Sequence, residues 1–407
     1  MSPLETKPPL SDDQLLARLV GFDTTSYRSN LELVDFLCDY LDRPEIQLQR
    51  QPSPDGTKAN LVAFVGPPVD ETERRGLVLS GHMDVVPATE PEWTSDPFTL
   101  TEGDDRWVGR GSADMKGFVA LAANRAWALA EQLRAGREPA HPLALIFTYD
   151  EEVGTLGAHH FRHHWPEDRP LPRSAVIGEP TWMRVVRLHK GHLRLRVELR
   201  GVPAHSGYPH LGIHAIEPLG PILQSLIQLR RQLEERRPTN HEFFPQVPYP
   251  ALNVGTVDGG SAVNVVPDRC TVEIGARALP GMDPEELATE IRRAVEDGFA
   301  RAGSRAQLRV ETLNDSPPLE TSAKAPICRC LATLTGQQET ISASYATDAG
   351  WLRQLEMDCV VWGPGSIEVA HKANEFIPKD QLLAGGDQLD QLLQRLVLDP
   401  QPTETSR

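Results

Sequence analysis

The sequence predicts an α/β protein built as two domains, one inserted into the other. At 407 residues the chain exceeds what a single hydrophobic core usually supports. Apolar strand-like runs alternate with helix-like runs through its first half, the order that builds a sheet layered with helices. Near Met183 the character changes to strongly alternating strands and two long amphipathic helices, and the earlier pattern returns after Leu313.

Ser11, Asp12 and Asp13 ahead of a Leu-rich run read as a capped helix start, and Asn30 to Leu41 repeats the spacing of an amphipathic helix. Asn60 to Val65 and Gly76 to Ser80 are short aliphatic runs bounded by Gly, Pro and charge, hence strands, and the second leads into His82. Lys116 to Leu133 is Ala-rich and apolar nearly all round, as a helix packed on a sheet face requires, and His141 to Tyr149 is a buried strand. Beyond Met183, LHKGHLRLRVELRG reads as a strand and IHAIEPLGPILQSLIQLRRQLEE as a long helix. ALNVGTVDGG and VVPDRCTVEIGARAL are strands, DPEELATEIRRAVEDGFARAG a helix and LRVETL a last strand. That order matches a split β-α-β, ferredoxin-like α+β unit, placed at 184–313. The remainder, 1–183 and 314–407, forms one discontinuous domain closed by AKAPICRCLATLTG, CVVWGPG and a helix from Lys379 to Val397. The tail DPQPTETSR is expected to fray.

Composition narrows the class. With 40% hydrophobic and 24% charged residues and no long apolar run, disorder and a membrane span are both disfavoured. A net charge of −16, with no basic, aromatic-interleaved stretch, argues against a nucleic-acid partner. The opening MSPLETKPPLSDDQLLARLV lacks the basic and apolar regions of a secretory leader, so a cytoplasmic protein is expected. Cys38, Cys270, Cys328, Cys330 and Cys359 are odd in number and scattered, which fits free thiols in a reducing compartment.

Groups able to hold metal stand at the ends of these runs. His82 in SGHMDVVP lies two residues from Asp84, so on extended chain both side chains point one way and the carboxylate can orient the imidazole. Asp114 follows the turn GRGSAD, where backbone can approach an ion closely and a short carboxylate can bridge two ions. Read only as a cap for the helix at Lys116, it leaves the two glycines unexplained. Asp150, Glu151 and Glu152 end a buried strand in a row, which is costly unless a cation neutralises part of the charge. Adjacent side chains diverge there, so one can bind metal while its neighbour serves as general base. Glu179 closes SAVIG and precedes Pro180, which stops the strand, and His371 stands in AHKANEF.

Each of these has a bland reading as a surface pair, a cap, a charge run or an exposed side chain. As a set, two imidazoles and three carboxylates suit two zinc ions sharing one carboxylate, with a water between them acidified enough to attack an amide. Cobalt or manganese would accept the same ligands. Four of the five follow strand-like runs or the loops after them, where open α/β sheets assemble sites. His159, His160, His163 and His164 read instead as a solvated helix face, because no glutamate stands between His159 and His163 as a zincin helix requires.

Taken in order and over nearly the whole chain, SGHMDVVP, GRGSADMKG, TYDEEVG, GEPT, GVPAHSGYP and GPGSIEVAHKANEF resemble the di-zinc aminoacylase and acetylornithine deacetylase family, which includes succinyl-diaminopimelate desuccinylase and bacterial carboxypeptidases. The resemblance implies a three-layer, zinc-peptidase-like catalytic domain around a central mixed sheet, with an inserted dimerisation domain. It implies His82 and Glu179 on one zinc, Glu152 and His371 on the other, and Asp114 bridging both. Glu151 becomes the base that passes a proton from water to the departing amine, and Asp84 orients His82. A homodimer follows, in which His205 of GVPAHSG reaches the partner subunit's site and stabilises the oxyanion. Asn264 and Arg277 match substrate contacts, the arginine being suited to an α-carboxylate. His214 in LGIHAI is a departure, since a small polar residue is expected at this place near the dimer-domain helix.

SYATDAGWL with GPGSIEVAHKANEFIP is most similar to members that convert N-acetylornithine to ornithine and acetate in arginine biosynthesis. Succinyl-diaminopimelate, N-acetylcitrulline and dipeptides are the alternative substrates. A catalytically silent binding module is the alternative from another class, and the complete set of ligands with Glu151 speaks against it.

Overall fold

The computed structural model describes residues 9–399. The fraying expected after Asp399, and residues 1–8 of the segment read for a leader, lie outside the described residues. The chain divides into two compact units, one taking residues up to Arg187, Thr321–Ile341 and from Thr347 onward, the other Leu188–Glu320 and Ser342–Ala346. The sequence placed the inserted domain at 184–313.

In the first unit a mixed sheet runs in the order Ile46–Pro52, Ala59–Val65, Leu143–Thr148, Leu77–His82, Ser174–Ile177, Asp358–Val361. Leu77–His82 is parallel to both its neighbours, and Asp358–Val361 is parallel to Ser174–Ile177. The first two strands are antiparallel, with Ile46–Pro52 at the edge. LVLSGH and LALIFT are buried at every position, and since successive side chains face opposite ways, both sheet faces are covered there. The helix Gly117–Arg134 is buried without interruption from Gly117 to Trp127, and the alanines on it admit a close approach to the sheet. Leu15, Leu16 and Leu19 of the first helix, Leu33 and Leu37 of the second and Leu389 and Leu392 of the last share one core with it. The first helix begins as expected at Ser11, whose N–H donates to Gln14 Oε1 at 3.0 Å.

This topology decides where chemistry can assemble. His82 is the last residue of Leu77–His82, Asp150 to Glu152 follow Leu143–Thr148, Glu179 follows Ser174–Ile177, and the loop bearing His371 follows Asp358–Val361. Parallel strands present their carboxyl ends at one edge, so segments far apart in sequence arrive together.

In the second unit a four-stranded antiparallel sheet has the order Ala251–Gly259, Arg269–Arg277, His192–Arg200, Gln307–Ser316. With the helices Leu219–Glu234 and Pro284–Ala302 between strands, the chain order is β-α-β-β-α-β, the ferredoxin-like arrangement expected. Strict alternation fixes its faces. Leu193, Leu195, Val197 and Leu199 join the core with Ile222, Leu226, Ile291 and Val295 of the helices. On the opposite face Arg196 meets Glu273 at 2.7 Å and Arg194 meets it at 3.0 Å. Pro284 opens its helix behind Asp283, whose side chain accepts from the Glu285 N–H at 2.9 Å.

Candidate metal centre

Asp114 stands between two histidines and gives one carboxylate oxygen to each. Its Oδ1 is 3.0 Å from His82 Nε2 and its Oδ2 is 3.2 Å from His371 Nε2. On the His82 side Glu179 Oε2 lies 4.0 Å from Nε2. On the His371 side Glu152 lies 2.9 Å from Nε2. Ligand atoms of His82, Asp114 and Glu152 all fall within 4.8 Å of one another. The structure thus brings all five groups together in the first unit, as two clusters sharing one carboxylate.

The imidazole of His82 is fixed from behind. Its Nδ1 is 2.9 Å from the main-chain carbonyl of Asp84, which only accepts, so Nδ1 carries a proton and Nε2 is the nitrogen turned toward Asp114. The sequence assigned that role to the Asp84 carboxylate, but this lies 3.6 Å away, beyond hydrogen-bond reach. The carboxylate is engaged elsewhere. It accepts the N–H of Glu151 at 3.0 Å, the N–H of Glu152 at 3.3 Å and the hydroxyl of Ser26 at 2.7 Å. Asp84 therefore anchors the main chain of the proposed base and of one ligand.

The turn ahead of Asp114 explains its glycines. Gly111 has φ +80°, and a Cβ there would lie 2.7 Å from Val85. The turn is held by Glu375, a residue to which the sequence reading assigned no role. Glu375 accepts from the N–H groups of Ala113 and Asp114, both at 3.0 Å, of Gly111 at 3.1 Å, and from Arg110 Nη1 at 2.8 Å. Its position four residues after His371, in the same segment, was the one signal available. Gly178, before Glu179, is required by packing, since a Cβ there would fall 1.8 Å from the Phe118 ring.

The three acids in a row diverge. Asp150, at φ 53°, turns to an ion pair with Lys58. Glu152 faces His371, and Glu151 lies among the charges of Glu179, His82, Asp348 and Glu152. Asp348, also unassigned from sequence, is buried and accepts from Thr148 Oγ1 at 2.5 Å.

Electrostatics bear on whether metal fits. Burial, reinforced by neighbouring carboxylates, pushes Glu151 and Glu179 well above the ordinary range and Glu152 up to about 7. Hydrogen bonds donated by His371 to Asp114 and Glu152 raise it to about 10. Burial pulls His82 down, but Asp114 and Asp84 outweigh it and hold it well above its usual value. Negative charge exceeds positive here, and protons are drawn in to balance it. Glu179 Oε1 is buried with no hydrogen-bond partner. A lone carboxylate oxygen, two imidazoles and an excess of carboxylates are the donor set that divalent cations satisfy, so the residues fit a metal pair.

His205, Asn264 and Arg277 lie in the second unit. His205 is exposed on a short strand paired with Val265–Val266, and its Nδ1 accepts from the Gly207 N–H at 3.0 Å, which puts the ring proton on Nε2. The main-chain carbonyl of Asn264 accepts the N–H of Ser206, the residue after His205, at 2.9 Å. Arg277 ends its strand opposite Ala251, and its charge adds to burial in lowering His189 and His192, each to about 4. The departure His214 is a local cap: its Nδ1 accepts from the N–H groups of Ile216 and Glu217, both at 3.2 Å.

Residues 78–395 match the model of peptidase family M20/M25/M40. An acetylornithine deacetylase of Myxococcus xanthus is 36% identical over 372 residues, covering 90% of this chain and 93% of its own. Among solved structures, an M20-family metallo-carboxypeptidase of Sulfolobus solfataricus superposes with a TM-score of 0.74 at 16% identity, over 94% of this chain and 98% of its own. A Bacillus subtilis protein described as a dinuclear metal-binding peptidase of the M20 family superposes with a TM-score of 0.62 at 15% identity, over 94% and 96% of the two chains.

Proposed function

Because the chain belongs to peptidase family M20/M25/M40, hydrolases that act on amide bonds, we propose that it is a di-zinc deacylase whose substrate is N-acetylornithine. Ornithine and acetate would be the products, and arginine biosynthesis the setting. The observation that carries the metal assignment is Asp114 dividing its two oxygens between His82 and His371. His82 and Glu179 would hold one ion, Glu152 and His371 the other, with Asp114 shared. Zinc suits this mixed imidazole and carboxylate set, and cobalt or manganese can substitute.

A bound cation pair supplies Lewis acidity at the acyl carbonyl and acidifies water. The chain supplies the rest. Glu151, its main chain pinned by Asp84, takes the proton of the attacking water and returns it to the leaving amine, for which a carboxyl raised well above its ordinary range is suited. His205, with its proton on Nε2, would serve the partner subunit's site as a hydrogen-bond donor for the developing oxyanion. Arg277 is the partner for the substrate α-carboxylate, and Asn264 a further polar contact.

The reading includes a catalytic domain of 1–183 and 314–407 and a dimerisation domain of 184–313. An exposed edge strand, Ala251–Gly259, with Val257 on it and Val263 shortly after it both exposed, supports a homodimer formed through that domain. Five free thiols, three of them buried, support a cytoplasmic setting, and among the described residues no helix is long and apolar enough to cross a membrane.

The deciding experiment assays N-acetylornithine, N-acetylcitrulline, N-succinyl-diaminopimelate and dipeptides with zinc or cobalt present. The highest kcat/KM is expected for N-acetylornithine. A preference for the succinyl substrate or a dipeptide transfers the assignment to that activity, and no turnover of any of them restores the silent-module alternative.

A further inference from the structure

The helix Leu156–His164 carries four histidines outside the centre. Spacing of four places His159 and His163 on one face and His160 and His164 on the next. Ring centroids are 4.3 Å apart in the first pair and 4.2 Å in the second. His163 Nδ1 lies 2.8 Å from the His159 carbonyl, and His164 Nδ1 lies 2.9 Å from the His160 carbonyl. Carbonyl oxygens only accept, so both Nδ1 atoms carry the proton, and the lone pair of each neutral ring sits on Nε2. Both of these rings belong to exposed residues.

The two pairs are not equivalent. His160 is lowered by burial and then by its histidine neighbours, and its ring is also engaged by the Pro52 carbonyl. The rings of His159 and His163, by contrast, both lie edge-on to Trp351, with centroids at 4.7 and 5.6 Å and interplanar angles of 82° and 65°. That indole is itself fixed, because its Nε1 donates to Thr155 Oγ1 at 2.9 Å.

We propose that His159 and His163 form a second metal site, separate from the Asp114 centre, that takes a borderline divalent ion such as Cu2+ through two imidazoles. Two rings already paired on one helix face lose little freedom on chelation, and imidazole affinity among first-row ions peaks at copper. The glutamate that a zincin helix needs is a base for hydrolysis, not a ligand, so its absence removes that chemistry and leaves ligation intact. The site binds and does not hydrolyse.

The test titrates the zinc-loaded, full-length protein with Cu2+ and follows tryptophan fluorescence, since an open-shell ion held at these rings sits against Trp351 and quenches it. Trp351 is one of seven tryptophans, so the expected result is a saturable phase of partial amplitude. His163→Ala, a change at an exposed helix position, should shift that phase at least tenfold, as loss of a ligand costs no less than loss of an outer partner, about 10- to 100-fold. Trp351→Phe should lose the phase in fluorescence yet retain the copper by equilibrium dialysis, and His164→Ala should leave it in place. Superimposable titrations of wild type and His163→Ala, or a phase removed by His164→Ala alone, overturn the proposal.

Discussion

Glu375 accepts the main-chain N–H of Asp114 at 3.0 Å and so holds the backbone of the residue that stands between the two histidines. The same buried carboxylate serves two further N–H groups and Arg110, which keeps a second partner in Glu90 at 3.0 Å. A buried donor left without an acceptor costs about 1–3 kcal/mol, and a broken buried ion pair about 3–5 kcal/mol. Glu375→Ala is therefore expected to destabilise the protein by about 3–5 kcal/mol and to lower its metal content, although Glu375 touches no ligand atom. Denaturant melts and elemental analysis check both, and unchanged values would refute a positioning role.

Asp84 offers a way to separate two means of orienting His82. Asp84→Asn leaves the main-chain carbonyl that receives Nδ1–H but places an amide NH2 where a carboxylate oxygen receives Glu151 or Glu152. The expected outcome is a fall in kcat of about 10- to 100-fold with metal affinity nearly intact. If metal affinity falls in parallel, the carboxylate and not the carbonyl governs the imidazole.

Sequence patterns exposed the parts of this molecule whose physics is local. LVLSGH and LALIFT announce buried strands because both faces need apolar side chains, and a polar residue directly after such a run is conspicuous, which is how His82 and the Asp150 to Glu152 row stood out. Ile46–Pro52 escaped notice because an edge strand paired on one side tolerates Gln and Arg, and its burial alternates irregularly. Glu375 and Asp348 were hidden for another reason. They act by accepting hydrogen bonds from the N–H groups of a turn and from Thr148, and no spacing marks such a long-range acceptor. The Asp84 carbonyl is hidden likewise, since every residue has one.

Proton binding at the centre sets a pH dependence with a definite sign. In the metal-free protein burial, and then Asp114, lift Glu152 from its ordinary 4.5 up to about 7, so its folded form holds a proton that the unfolded form releases, and stability falls as pH rises between those values. Hydrogen bonds with Asp114 and Glu152 lift His371 from 6.5 to about 10, so its contribution is complete below 6.5 and lost as pH climbs through 10. Metal binding at the proposed centre requires both side chains unprotonated and grows stronger over the same range. The melting-temperature gap between metal-loaded and chelator-treated protein should therefore widen from about pH 5 to about pH 9. A constant or narrowing gap would show that these two side chains do not bind the ion.

Glu151 is the group whose removal separates chemistry from binding. Its carboxyl is pushed well above the ordinary range by burial, with the charges of Glu179, Asp348 and Glu152 adding to the effect, while the paired ligand contacts at Asp114 are made by His82 and His371. Glu151→Ala thus deletes the proposed proton carrier and leaves His82, Asp114, Glu152, Glu179 and His371 in place. A positioned base contributes about 100- to 10,000-fold, so kcat should fall by that factor while metal content is unchanged. Stability should hold or rise, because a buried carboxyl surrounded by like charge is removed. Rates on N-acetylornithine, elemental analysis and thermal melts on one preparation suffice, and a variant that keeps a near-normal rate would assign proton transfer to another side chain.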